Sequence, residues 1–234
     1  MIIDLPQLAE NIHACRRCSR LVSWCQHVAR TKRTAFRDEI YWGQPVAGFG
    51  DPEAQVVLVG LAPAAHGANR TGRVFTGDRS GDFLFASLHR TGFANQAQSQ
   101  HRDDGLRLSG AYVTAIVRCA PPENQPTSLE RAACRSWLEG ELRLLLEVRV
   151  LIALGGEAWR HLFRLYRDHG EDVPRPVVPF GHGTEVKLGR HTMIGSYHPS
   201  QQNTFTGRLT PSMLDQVMLR GRQIAGESVS GFES

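Results

Sequence analysis

Three side chains able to hold charge or handle protons fall in three separate loops of this chain: Asp78, Asn124 and His198. A carboxylate can steady a cation or activate water, an imidazole can donate a hydrogen bond to a departing group, and a carboxamide can orient water. Each has a plainer alternative. Asp78 suits the N-cap of a helix starting near Ser80, Asn124 suits a turn among prolines, and His198 suits a cap or surface position. Asp78 is the only acidic residue of the long first loop, Gly60 to Asp78. Gly60, Gly67, Gly72 and Gly77 in that loop let backbone approach a ligand closely. Phe75 offers a flat apolar face for a base, worth about 1–3 kcal/mol in comparable sites; taken alone it reads as a core aromatic. Arg70 and Arg73 suit phosphate contacts, or equally a solvated surface.

The cysteines form a second constellation. Cys15 and Cys18 make a C-x2-C pair, Cys119 follows the second apolar run, and Cys134 lies in the next helical segment. A zinc ribbon needs a second close pair, which is missing. Four thiolates suit an iron–sulfur cluster by ligand type, and zinc by the same token. The plain alternative is four unrelated buried thiols. Cys25 lies outside the pattern and reads as a free or buried thiol.

Alternating elements must position these groups. Val56 to Val59, Ala111 to Val117, Val148 to Leu154 and Thr192 to Tyr197 are short apolar runs, as in strands buried on both faces. Helical patterns cover residues 6–22, 83–89, 128–146, 157–166 and 211–225, the last opened by Thr210 as N-cap and Pro211 at the first position. Such alternation implies an α/β fold with a mostly parallel sheet and helices on both faces, and with sites in the loops at the carboxyl ends of the strands. Residues 94–107 read as an exposed polar loop. Residues 168–190, rich in Gly and Pro, read as an irregular connection with a short hairpin.

The 234 residues, 41% hydrophobic and 21% charged, suit one globular domain. A formal charge of +4 tolerates a polyanionic partner without proving one. Met1-Ile2-Ile3-Asp4 lacks the marks of a leader, and no run approaches a membrane span. A reducing cytoplasm is therefore expected, where grouped cysteines bind metal rather than pair.

The three loops are Gly60-Leu61-Ala62-Pro63-Ala64-Ala65-His66-Gly67 onward to Phe75-Thr76-Gly77-Asp78, Arg118-Cys119-Ala120-Pro121-Pro122-Glu123-Asn124, and His198-Pro199-Ser200-Gln201-Gln202-Asn203 onward to Arg208. With the four cysteines they resemble the uracil-DNA glycosylase superfamily, most of all its family 5, the iron–sulfur type of bacteria and archaea. The resemblance runs from Cys15 to the last helix. It implies one domain over residues 1–234, a three-layer α/β/α fold around a mostly parallel four-stranded sheet, and an N-terminal helix holding a [4Fe-4S] cluster through Cys15, Cys18, Cys119 and Cys134. It implies a monomeric monofunctional glycosylase of base excision repair, cytoplasmic and nucleoid-associated, that removes uracil and related deaminated bases such as hypoxanthine from DNA.

The resemblance also implies roles. His198 would donate to uracil O2, while Asp78 and Asn124 hold and activate the water. Gly60, Ala62, Ala64, Phe75 and Ala115 would form the base site, with Phe75 stacking on the base. Arg70, Arg73, Gln201, Gln202, Asn203 and Arg208 would touch DNA, the loop at 201–203 entering the duplex. Leu61 and Ala115 stand where other branches carry polar residues, so fewer groups read the base and discrimination should be broad. A noncatalytic nucleic-acid-binding domain would not need Asp78, Asn124 and His198 together. A nucleotide hydrolase lacks a phosphate cradle here, because no P-loop or G-x-G-x-x-G follows the first strand.

Overall fold

Four continuous apolar runs become the parallel centre of a six-stranded sheet. The computed structural model describes residues 4–226, so the reading of Met1 to Ile3 as free of a leader lies outside the described residues. The strands are β1 (Phe49–Gly50), β2 (Val56–Gly60), β3 (Ala111–Ala115), β4 (Val150–Leu154), β5 (Glu185–Leu188) and β6 (His191–Ser196). They lie in the order β1-β3-β2-β4-β6-β5, with β3, β2, β4 and β6 mutually parallel and both edge strands antiparallel. The expected four-stranded sheet is thus corrected to six. The two edges escaped the pattern for different reasons. β1 has two residues and no period. β5 alternates exposed and buried residues inside the stretch read as an irregular connection with a short hairpin, and its hairpin partner is the fourth apolar run, β6.

The helices are α1 (Leu5–His13), α2 (Ser19–Thr31), α3 (Ala68–Thr71), α4 (Arg79–Arg90), α5 (Ser128–Leu144), α6 (Gly156–Asp168), α7 (Gln201–Phe205) and α8 (Pro211–Ala225). The single helix expected over 6–22 is two. α1 is capped by Asp4, whose carboxylate accepts from the Gln7 N–H at 2.8 Å. It ends before Cys15, so Cys15 and Cys18 occupy the turn into α2. α5 opens on a capping box of Thr127 and Glu130, and α8 opens on Thr210 and Pro211 as the sequence indicates.

α4 and α8 cover one face of the sheet, burying Val56, Leu58, Ile152 and Ile194 against Leu84, Phe85, Val217 and Met218. α5 and α6 cover the other, burying Val57, Val59, Leu151 and Ala153 against Leu138, Trp159 and Leu162. Each such aliphatic side chain contributes about 1.5–3 kcal/mol on burial. No helix of the described residues is long and apolar enough to cross a membrane.

One buried ion pair locks α5 to the sheet. Glu141 and Arg118 are each 1% exposed, with Nη2 of Arg118 at 2.6 Å from the carboxylate. Glu141 also accepts from the Gly48 N–H at 3.0 Å and from the Thr114 hydroxyl at 2.6 Å. Removing one partner leaves an uncompensated charge in the core. Glu141→Ala should therefore cost about 3–5 kcal/mol of unfolding free energy, read from denaturant titration. A cost below about 1 kcal/mol would mean that water solvates Arg118 in place of the carboxylate.

Candidate active site

The loops after β2, β3 and β6 converge on a cavity of about 330 Å3 at the carboxyl end of the sheet. Leu61, Ala62, Pro63, Ala64, Phe75, Asp78, Ser80, Asn124, His198 and Ser200 line it. Asp78, Asn124 and His198, singled out from three distant stretches, are brought together. So are Ala62, Ala64 and Phe75. Gly60 and Ala115 are paired in register at the ends of β2 and β3 and do not line the cavity. Gly60 acts from behind: a Cβ there would come within 2.7 Å of the Phe75 ring. Ser80 and Ser200 were missed; each stands two residues beyond Asp78 or His198, in the first turn or at the cap of the following helix.

Phe75 takes a left-handed backbone conformation, φ +51°. That is unfavourable for an aromatic residue and persists only where the surroundings impose it. Its ring lies 5.8 Å from the His198 ring, tilted by 35°, which gives the cavity two aromatic walls. Glu123 and Asn124 are also left-handed, φ +54° and +57°. Asparagine tolerates this region better than most residues.

Asp78 is both a helix cap and part of the cavity lining. It caps α4, accepting from the Gly81 N–H at 2.9 Å, and its side chain lines the cavity. Burial raises its pKa, opposed by the Gly81 and Ser80 N–H groups and by the Arg70 charge, while Asp82 adds to the rise. Gly67 makes room for it: a Cβ there would stand 2.0 Å from the carboxylate oxygen. Burial lowers the His198 pKa to about 4, so the ring is neutral at pH 7 and carries one N–H.

The three arginines expected to touch DNA stand in different surroundings. Arg70 and Arg73 are buried and hold the first loop from within. Arg70 donates to the His66 and Gly77 carbonyls at 2.8 and 2.7 Å, pairs with Glu39 and stacks over Phe36. Arg73 clamps Asp104 with two bonds of 2.8 and 2.7 Å and reaches Thr76 and Ser99. Both are engaged internally because carbonyls and hydroxyls of the loop outside α3 have no strand or helix to pair with. Arg208 is exposed, stacked over Tyr197. Exposed Arg79, which follows Asp78, was missed; it lies over Phe205, itself 68% exposed on α7. Gln201 and Gln202 are exposed on the same short helix. The Asn203 amide instead donates to the His198 carbonyl at 2.8 Å.

Four of the five free cysteines meet in another corner. Cys15, Cys18, Cys119 and Cys134 line one small cavity together with Arg118 and Trp137. The Arg118 backbone N–H donates to the Cys134 sulfur at 3.3 Å. Burial raises the Cys18 and Cys134 thiols, the latter to about 11, so metal binding here must displace protons. Among the described residues no group of three or more His, Cys, Asp or Glu has the arrangement that holds a metal ion. Cys25 is a buried thiol donating to the Ala120 carbonyl at 3.5 Å.

Comparison with known proteins agrees with this geometry. Residues 47–219 match the family profile of the uracil DNA glycosylase superfamily. The chain is 52% identical over 225 residues to a type-5 uracil-DNA glycosylase of Mycobacterium tuberculosis, covering 95% of this chain and 82% of that relative. It is 50% identical over 226 residues to a type-5 uracil-DNA glycosylase of Thermus thermophilus, covering 96% of this chain and all of that relative. A type-4 uracil-DNA glycosylase of Thermotoga maritima is 32% identical over 157 residues, 66% of this chain and 69% of its own. The chain belongs to the uracil-DNA glycosylase superfamily, among the type-5 enzymes.

Proposed function

We propose that this chain removes uracil from DNA by hydrolysing the N-glycosidic bond and leaves an abasic site. The observation that carries this reading is the convergence of Phe75, Asp78, Asn124 and His198 on one base-sized cavity. Breaking the bond sends its electron pair to the base and leaves a cation at the sugar. The neutral His198 ring donates its N–H to the departing base, and the Asp78 carboxylate steadies the sugar cation and takes the proton of the incoming water. Asn124 orients that water. Phe75 stacks on the extruded base. Leu61, Ala62, Pro63 and Ala64 make much of the wall apolar, which favours acceptance of other deaminated bases, hypoxanthine among them. Among the described residues no lysine lines the cavity.

Asp78→Asn keeps the size and the helix cap but loses the charge. It should slow single-turnover uracil release from duplex DNA by at least about 10²-fold. An unchanged rate would leave Asp78 as a cap only. The parent kcat/KM should fall as pH drops through the Asp78 pKa, which burial places above the ordinary value of 3.8, because the protonated acid neither steadies a cation nor accepts a proton. His198, at about 4, stays neutral until more acid conditions than an unperturbed histidine. Asp78→Asn should abolish this acid limb; its persistence would assign it to another group.

DNA binding in this reading rests on exposed Arg79, which stands between the cavity-lining Asp78 and Ser80, and on exposed Arg208, with Gln201, Gln202 and Asn203 on the segment that enters the duplex as the base leaves. Arg208→Ala should reduce the log–log salt slope of duplex binding by about 0.9. Arg73→Ala should instead show itself as a loss of stability. Equal salt slopes for Arg208→Ala and parent would remove Arg208 from the phosphate contacts.

Cys15, Cys18, Cys119 and Cys134 ligate a [4Fe-4S] cluster in this reading. Four soft thiols around one cavity fit the donor set. A single zinc ion requires all four sulfurs about 2.3 Å from one point, whereas a cubane takes them at four separate corners. The cluster would tie the α1–α2 turn to β3 and α5, a structural service, since hydrolysis moves no electrons. Anaerobically prepared protein should contain about four irons per chain; stoichiometric zinc without iron would overturn the assignment.

A further inference from the structure

Two donors beside the four cysteines have no acceptor. Arg118 Nε and Trp137 Nε1 are both buried without a hydrogen-bond partner, and both residues line the cysteine cavity. Native proteins rarely leave a buried N–H unpaired, and each exception needs a reason. The other nitrogens of Arg118 are all engaged. Its Nη atoms bond Glu141 and Thr114, and its backbone N–H already reaches the Cys134 sulfur. The fork is fixed by the Glu141 carboxylate, so Nε has no freedom to turn toward water. Trp137 follows Cys134 by three residues on α5, which places both on one helix face. Arg17 covers its ring at 4.4 Å.

We propose that Arg118 Nε–H and Trp137 Nε1–H are the hydrogen-bond donors to the sulfur atoms of the cluster bound by Cys15, Cys18, Cys119 and Cys134. Thiolate and inorganic sulfide are acceptors with no proton of their own, so they satisfy both orphaned groups at once. The proposal rests on the cluster reading given above and adds which side chains set the cluster's properties. Donors to cluster sulfur favour the more negative, reduced state and raise the reduction potential. They also draw electron density from the Fe–S bonds and weaken them.

Trp137→Phe removes one donor and little else. Arg118→Lys keeps a cation for Glu141 and removes the other. Iron is assayed first, in the parent and in each reconstituted variant. An iron-free parent overturns the cluster reading and this proposal with it. In iron-replete holoproteins, both variants should lower the midpoint potential and move the Fe–S stretching bands of the resonance Raman spectrum to higher frequency. Trp24 supplies the control. Its Nε1 is equally unpaired, but it does not line the cavity, so Trp24→Phe should leave both readouts at parental values. If Arg118→Lys fails to fold, Trp137→Phe against Trp24→Phe decides alone. Potentials and bands of Trp137→Phe that coincide with the parent's, or shifts of equal size in Trp24→Phe, overturn the proposal.

Discussion

The candidate active site depends on two buried arginines that hold an irregular loop from inside. The loop after β2 must carry Phe75 and Asp78 to the cavity, and between them it forms no strand and no regular helix. Its carbonyls and hydroxyls still need partners. Arg70 supplies them at His66 and Gly77, and Arg73 at Thr76, while Arg73 also reaches Ser99 of the 94–107 loop. Each guanidinium is neutralised in turn, by Glu39 and by Asp104. Burial alone would raise the Asp104 pKa, but Arg73 together with the Leu106 and Gln100 N–H groups outweighs it and holds the carboxyl well below its usual range. The polar loop at 94–107, which looks like surface in the sequence, is thus the outer half of the clamp.

This clamp lets Phe75 keep a left-handed backbone and lets Asp78 serve as cap and cavity wall together. Gly60 and Gly67 complete it by omission, since a methyl group at either would strike the Phe75 ring or the Asp78 carboxylate. The site is therefore preorganised by contacts that lie mostly behind its surface.

Much of this was legible in the sequence because it depends on local pattern. The central strands and α8 show as apolar runs and cap residues, and Asp78, Asn124 and His198 stand in the loops that follow such runs. What escaped depends on distant partners. Nothing local distinguishes an arginine that will meet Asp104 from one that will meet phosphate, so Arg70 and Arg73 were read outward while Arg79 was passed over. The break between α1 and α2 escaped for a similar reason: the apolar spacing of Leu8, Ile12, Cys15 and Leu21 continues across the turn that carries Cys15 and Cys18. The Cys corner and the site share one segment, from Arg118 to Asn124. The Arg118–Glu141 pair anchors its start.

The central claim is hydrolytic removal of uracil, and product analysis in isotopically labelled water tests it most directly. A duplex with one uracil, incubated with the protein in H2(18)O and analysed by mass spectrometry, should yield free uracil and an intact abasic strand carrying one labelled oxygen at the sugar, allowing for exchange of the open-chain aldehyde in a parallel control. An unmodified duplex after prolonged incubation with folded protein, or a strand broken without release of free uracil, would contradict the account.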